Sequence, residues 1–291
     1  MKVHLLVAIY LGLSASLALA SEKKVTPFFE VKDSNTAADY IAPDGLEVYL
    51  GAGIRPAKDI IHIGDADIAR FEAPPGFVGK AVTHKTVDEI WYCLEGSGEI
   101  AVKEKADGEW EELALTPGVS VSLPLGSHFQ VRNTGSHQLK ILGVTTPHWP
   151  ADPSEALEVE RYWLNDNNHE KAKLLSKGFT LASKVPDETT PNGVSFSAVA
   201  EVNKAGDALV MRVEMPEGKI IKPSTSKEAD EIWYCVSGKA KLVGEISPGA
   251  SSQEIDITPG VSISLPAGSN YQVINEGGEP FSFLCIKTPG F

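Results

Sequence analysis

Asp88-Glu89-Ile90-Trp91-Tyr92-Cys93 recurs unchanged as Asp230-Glu231-Ile232-Trp233-Tyr234-Cys235, an offset of 231 − 89 = 142 residues. At that offset the chain aligns with itself without a gap from about Phe71 to Pro147. Thr116-Pro117-Gly118-Val119-Ser120 meets Thr258-Pro259-Gly260-Val261-Ser262, and Ser122-Leu123-Pro124 meets Ser264-Leu265-Pro266. Two long segments that share strands and turns without an insertion are a duplicated domain, not a short solenoid repeat.

Within each copy the texture is that of short strands broken by Gly, Pro, Asn and Asp. Val119-Ser120-Val121-Ser122-Leu123 and Val261-Ser262-Ile263-Ser264-Leu265 alternate apolar and polar residues, the period-two pattern of a half-buried strand. Gly96-Ser97-Gly98 and Ala106-Asp107-Gly108 read as hairpin turns. The expected class is all-β, with short antiparallel strands. Residues 44–149 and 194–291 then form two domains preceded by an N-terminal arm at 21–43, and residues 150–193 link them. Pro153-Ser154-Glu155-Ala156-Leu157-Glu158 carries a helix-start signal, and Asn168 to Leu175 is compatible with a second short helix.

The chain's 291 residues suffice for two such domains, each burying its own core. A net charge of −13 argues against nucleic acid or an anionic membrane surface as a partner. At the N-terminus, Lys2, the apolar run from Leu5 to about Leu17 and Ala18-Leu19-Ala20 have the form of a signal peptide ending at residue 20. The run is shorter than the roughly 20 apolar residues of a membrane span. The expectation is therefore cleavage and secretion, to an extracellular or periplasmic location, with no membrane span in the mature chain. Cys93, Cys235 and Cys285 are an odd set with no close pair, so the default is buried thiols. A Cys235–Cys285 bridge is the minority option in an oxidising compartment.

Beyond the hexapeptide the spacing becomes specific. Repeat one places Gly76, His84, Glu89 and Gly96, then Gly118, Pro124, Gly126, Phe129 and Asn133, at fixed intervals. Repeat two places Gly218, Ser226, Glu231 and Gly238, then Gly260, Pro266, Gly268, Tyr271 and Asn275, at the same intervals. These series resemble the two signature motifs of the cupin superfamily, G-x5-H-x-H-x4-E-x6-G and G-x5-P-x-G-x2-H-x3-N. The resemblance implies two tandem cupin-type jelly-roll β-barrels joined by a linker with short helices, a bicupin. Such barrels often pair through their sheets. A bicupin can satisfy that contact between its own halves, so a monomer is expected beside a homodimer.

In the family, three His and one Glu hold a divalent metal inside the barrel. Carried over position by position, the set in barrel 1 is Val82, His84, Glu89 and Phe129, and in barrel 2 it is Ser224, Ser226, Glu231 and Tyr271. His128, beside Phe129, would complete a set with His84 and Glu89 for one divalent Fe, Mn, Zn or Cu ion if the turn after Gly126 aimed it inward. Strand alternation opposes that, because neighbouring residues point to opposite faces.

Without a metal, His84, Glu89, Trp91 and Phe129 outline a ligand pocket in barrel 1, and Ser226, Glu231, Trp233 and Tyr271 are their equivalents in barrel 2. A carboxylate inside an apolar barrel suits general acid or base work. The plainer alternative is a Glu satisfied structurally, by His84 in barrel 1 or by Tyr271 in barrel 2. Three functions follow. One is an exported small-molecule-binding or non-catalytic bicupin whose pocket surrounds His84 and Glu89. Another, implied by the resemblance, is a metal-dependent dioxygenase, decarboxylase or isomerase acting on a small organic acid, phenol or sugar. The third is an acidic structural or storage protein.

Overall fold

The computed structural model describes residues 30–41, 45–54, 64–150, 154–163, 188–202, 206–225, 229–247 and 249–289. Among the described residues there are strands, turns and no helix. The expected signal peptide and the helix-compatible stretch from Asn168 to Leu175 lie outside them.

The first half contributes β1 (Val31–Asp33), β2 (Tyr40–Ile41), β3 (Glu47–Ile54), β4 (Ala66–Ala73), β5 (Val82–His84) and β6 (Asp88–Glu95). It continues with β7 (Gly98–Lys103), β8 (Glu111–Leu115), β9 (Ser120–Leu123), β10 (His128–Asn133), β11 (Leu139–Thr146) and β12 (Ala156–Glu158). The second half adds β13 (Glu188–Thr189), β14 (Ser195–Val202), β15 (Ala208–Met215), β16 (Ile220–Thr225) and β17 (Asp230–Ser237). It ends with β18 (Ala240–Glu245), β19 (Gln253–Ile257), β20 (Val261–Leu265), β21 (Asn270–Ile274) and β22 (Phe281–Thr288). Two sheets, ordered β2-β3-β4-β11-β6-β9 and β12-β5-β10-β7-β8, make barrel 1. Barrel 2 consists of β1-β20-β17-β22-β15-β14-β13 and β16-β21-β18-β19.

The motif glycines and asparagines build the turns. Gly96 has φ +83°, and a Cβ there would lie 2.4 Å from the carbonyl oxygen of Gln138, so two constraints select glycine. Gly238 repeats both, with Pro280 as the close neighbour. Asn133 donates through Nδ2 to the carbonyls of Ala73 and His137 and accepts from the Gly135 amide, latching one barrel end. Asn275 makes the equivalent set with Met215, Glu279 and Gly277.

Each copy of the hexapeptide is a central strand with two buried faces. From β6, Trp91 and Cys93 enter the core of barrel 1 with Ile100, Val121, Phe129 and Ile141. From β17, Trp233 and Cys235 do the same in barrel 2. The opposite face carries Ile90 and Tyr92, or Ile232 and Tyr234, into a third apolar cluster that seals the two barrels together. Asp88 and Asp230 open these strands at 0% exposure and act reciprocally. Asp88 accepts from the Leu125 amide of its own barrel at 2.6 Å and from the Gly206 amide of the other half at 3.2 Å. Asp230 accepts from Ala267 at 2.6 Å and from Gly64 across the junction at 2.7 Å. The Arg70 charge lies beside Tyr234 and the Arg212 charge beside Tyr92 in the same crossed manner.

The junction corrects two expectations. β9 and β20 are not half-buried, because their serine faces lie against the other barrel: Ser120 Oγ donates to the Val199 carbonyl, and Ser262 Oγ accepts from the Ala52 amide at 2.9 Å. The apolar–polar alternation is real, but the polar face meets protein. The second correction concerns the helix start expected at Pro153 to Glu158: Pro153 lies outside the described residues, and no helix runs through Ser154 to Glu158. Ala156–Glu158 is β12, added antiparallel to β5. Glu155, 1% exposed, holds it there by accepting from the Lys85 amide at 3.0 Å and from the Thr86 amide and hydroxyl at 2.7 and 2.9 Å. The apparent cap residues therefore serve a neighbouring loop. Downstream, Trp163 is buried against the barrel, its Nε1 donating to Glu112 while the Arg132 guanidinium lies 4.3 Å over its ring. The arm also binds tightly: β1 pairs with β20 of the distant barrel, Lys32 opposite Ser262.

Candidate functional site

β5 ends at His84, fixed between β12, where Ala156 lies opposite, and β10, where Phe129 lies opposite Val82. β6 presents Glu89 between Leu123 of β9 and Thr145 of β11. The two side chains meet inside barrel 1, His84 Nε2 to Glu89 Oε2 at 2.9 Å, with side-chain exposures of 7% and 5%. Aromatic rings enclose the pair. His84 lies 5.3 Å from the Phe129 ring and 5.2 Å from Trp149, which approaches edge-on. Trp91 meets Phe129 edge-on at 5.3 Å.

These residues line a cavity of about 90 Å³ whose remaining wall is apolar, including Phe71, Phe77, Val82 and Ile141. Among the described residues, two buried nitrogens on its lining, His84 Nδ1 and Trp91 Nε1, have no hydrogen-bond partner. Buried polar atoms are ordinarily satisfied, so such a pair calls for an explanation.

His84, Glu89, Trp91 and Phe129 are thus brought together, and His128 is not. β10 alternates as a strand does, sending Phe129 into the cavity and His128 away from it. Burial first, and then the neighbouring Lys103 charge, push His128 below its ordinary 6.5. The expected set of His84, Glu89 and His128 is therefore not assembled. Among the described residues no group of three or more His, Cys, Asp or Glu side chains is placed to hold a metal ion. Metal centres of catalytic type keep about three protein ligands, so the described side chains do not fit one.

In barrel 2 the equivalent carboxylate is fully engaged. Trp233 Nε1 donates to Glu231 Oε2 at 2.8 Å, the Tyr271 hydroxyl donates to the same oxygen at 3.2 Å, and Cys285 Sγ approaches it at 3.6 Å. Lys287 Nζ lies 3.5 Å from Oε1. Tyr271 and Cys285 are both pushed well above their ordinary values, by burial first and then by the Glu231 charge, so both remain protonated donors. Glu231 therefore takes the structural role, with Tyr271 as a partner. Ser226 lies outside the described residues. All three cysteines are free thiols, so the Cys235–Cys285 bridge is not formed.

Register explains why the two copies differ. Gly143 lies opposite Trp91 where Cys285 lies opposite Trp233. A Cβ at Gly143 would stand 3.1 Å from Glu89 Oε1 and 2.6 Å from the Phe71 ring. Phe129 lacks the hydroxyl of Tyr271, and Thr145 replaces Lys287. Sequence reasoning overlooked Trp149 and Gly143. Gly143 was discoverable from the 142-residue offset, but Trp149 carries no spacing signal.

Comparison with known proteins agrees with this architecture. A family model described as cupin domain matches residues 69–145 and again 211–287. Acireductone dioxygenase 1 of Vitis vinifera is 34% identical over 86 residues, spanning 28% of this chain and 45% of that protein, so the match covers under half of the relative's length. Among solved structures, an oxalate decarboxylase variant of Bacillus subtilis superimposes with a TM-score of 0.68 at 14% identity, covering 91% of this chain and 78% of that one. A 7S globulin of Momordica charantia gives 0.65 at 12% identity, covering 90% and 84%. Likeness at such identities speaks for the fold alone.

Proposed function

The chain belongs to the cupin domain family, and from that premise we propose that it is a small-molecule-binding bicupin whose working pocket is in barrel 1. The observation that carries this reading is the contrast between the two carboxylates. Glu231 is saturated by side chains of its own barrel. Glu89 contacts His84 at the wall of a cavity that also holds two unpartnered nitrogens. An apolar cavity with a few convergent polar groups is the usual form of a small-ligand site. Barrel 2, on this reading, is a structural partner that completes the junction. The proposed setting is outside the cytoplasm, which sequencing of the mature N-terminus would support by finding Ser21 first.

Binding is tested by calorimetric screening of the purified chain, repeated on His84→Ala and Glu89→Ala. Compounds that bind the wild type and lose affinity in both variants support the pocket. Hits indifferent to both substitutions would remove it.

A metal-dependent enzyme is the second reading. It is supported by His84 and Glu89 standing at two of the family's four ligand positions, and by what two similar proteins are called: a dioxygenase, and an oxalate decarboxylase with Mn(II) centres. The described side chains offer a metal no third ligand. Elemental analysis separates the readings. About one Fe, Mn, Zn or Cu per chain, with stability that falls on chelation, would replace the first reading with the second.

A further inference from the structure

We infer that the barrel 1 pocket recognises a neutral hydroxyl group carried on an apolar body, an alcohol or phenol, the hydroxyl seated between Trp91 Nε1 and the His84–Glu89 pair. The inference rests on the pocket reading above and goes further by assigning the ligand's chemistry.

Barrel 2 supplies the template, because it holds such a hydroxyl within its own chain. There the phenolic O–H of Tyr271 donates to Glu231 Oε2, and its ring stands edge-on to Trp233 with centroids 5.3 Å apart at 87°. In barrel 1 the rings keep that arrangement, Trp91 and Phe129 at 5.3 Å and 76°. What is missing is the oxygen. The thiol is missing too, since Gly143 stands in place of Cys285. Glu231 thus has three uncharged donors, whereas among the described residues Glu89 meets His84. Trp91 Nε1, more than nine-tenths buried, is left without the acceptor that its twin Trp233 finds in Glu231.

A hydroxyl satisfies both sides at once, accepting from the Trp91 N–H and donating to the His84–Glu89 pair. Charge excludes the common alternative. An anionic ligand would sit beside the Glu89 carboxyl, and Lys80, the cation on the cavity wall, is already paired with Glu158 at 2.8 Å. Lys287, the cation near Glu231, has only Thr145 as its counterpart. The rest of the ligand meets aromatic and aliphatic carbon. A cavity of about 90 Å³ is below the roughly 150 Å³ that accommodates benzene, so a ring-sized body extends beyond it.

Calorimetry on the full chain with phenol, toluene, benzoate and butan-1-ol tests this. Phenol is expected to bind about tenfold more tightly than toluene, the value of one buried hydrogen bond, with benzoate weakest and butan-1-ol detectable. Phenol should also shift one indole N–H resonance that is absent in Trp91→Phe, and that variant should hold phenol and toluene alike. Toluene binding as well as phenol in the wild type, or benzoate binding best, would overturn hydroxyl recognition while leaving the pocket intact. Failure of all four probes to bind would overturn the pocket reading together with this one. Because the wild-type series needs no substitution, the result stands even if Trp91→Phe does not fold.

Discussion

Replacing Asp230 by Ala tests whether the two barrels are held together by crossed carboxylates. Asp230 is fully buried and accepts two backbone amides, Ala267 at 2.6 Å and Gly64 at 2.7 Å, the second belonging to the other half of the chain. Hydrogen bonds to a charged group contribute about 1.5–3 kcal/mol each, and stranding a buried donor forfeits its solvation as well. Loss of both predicts a destabilisation of about 3–6 kcal/mol, large against the roughly 5–15 kcal/mol that stabilises ordinary domains. Guanidinium unfolding followed by tryptophan fluorescence measures it. The midpoint should fall, and the transition should split in two as the halves lose their coupling. Asp230→Asn keeps one acceptor oxygen and should retain part of the loss. Asp88→Ala should cost somewhat less, because its crossing bond to Gly206 is longer, at 3.2 Å. A loss under about 1 kcal/mol with a single sharp transition would refute the reasoning, since the amides would then have found other partners without penalty.

Phe129→Tyr gives barrel 1 the internal hydroxyl of barrel 2; it should raise stability by about 1 kcal/mol and abolish binding of phenol, both read by calorimetry. Glu155→Ala removes the acceptor of two amides and one hydroxyl, and a loss of about 2–4 kcal/mol should appear together with proteolytic cleavage near β12. Burial raises the Cys93 and Cys235 thiols from the ordinary 9.0 to about 12. A raised folded value means that their contribution is complete below about pH 9 and is lost as pH rises toward about 12. The urea midpoint should therefore fall across that window and fall less in Cys93→Ala/Cys235→Ala. At neutral pH a thiol reagent should label none of the three cysteines until the chain unfolds.

The fold was readable from the sequence because its constraints are local. A glycine required by φ +83° at Gly96, an asparagine that latches a turn at Asn133 and alternating strands each leave a spacing that survives without any knowledge of tertiary contacts. The pocket was half readable for the same reason: strand parity placed Glu89 and Trp91 on one face and set His128 against Phe129. What strand parity does not carry is the identity of the covering layer. Ser120 and Ser262 read as solvent-facing because the other barrel, which buries them, is distant in sequence. Pro153-Ser154 read as a helix start because a proline followed by a Ser cap suits one, and only the packed chain shows the next residue, Glu155, closing the loop at Lys85 and Thr86 instead.

Identity of the hexapeptide in both halves follows from the double duty of its strand. Asp, Ile and Tyr face the junction, where near-twofold symmetry asks the same of both copies: Asp88 and Asp230 each close their own turn and cross to the other half. Glu, Trp and Cys face a barrel interior, where nothing requires the copies to agree. Divergence there fell on neighbouring strands, with Phe129 for Tyr271 on β10, Gly143 for Cys285 on β11 and His84 for Ser226 before the shared strand. Those changes leave Glu231 saturated and Glu89 open to a cavity without altering the strand that presents either. A functional difference between duplicated barrels is therefore carried by the residues around the conserved strand, and the strand itself is held constant by the junction.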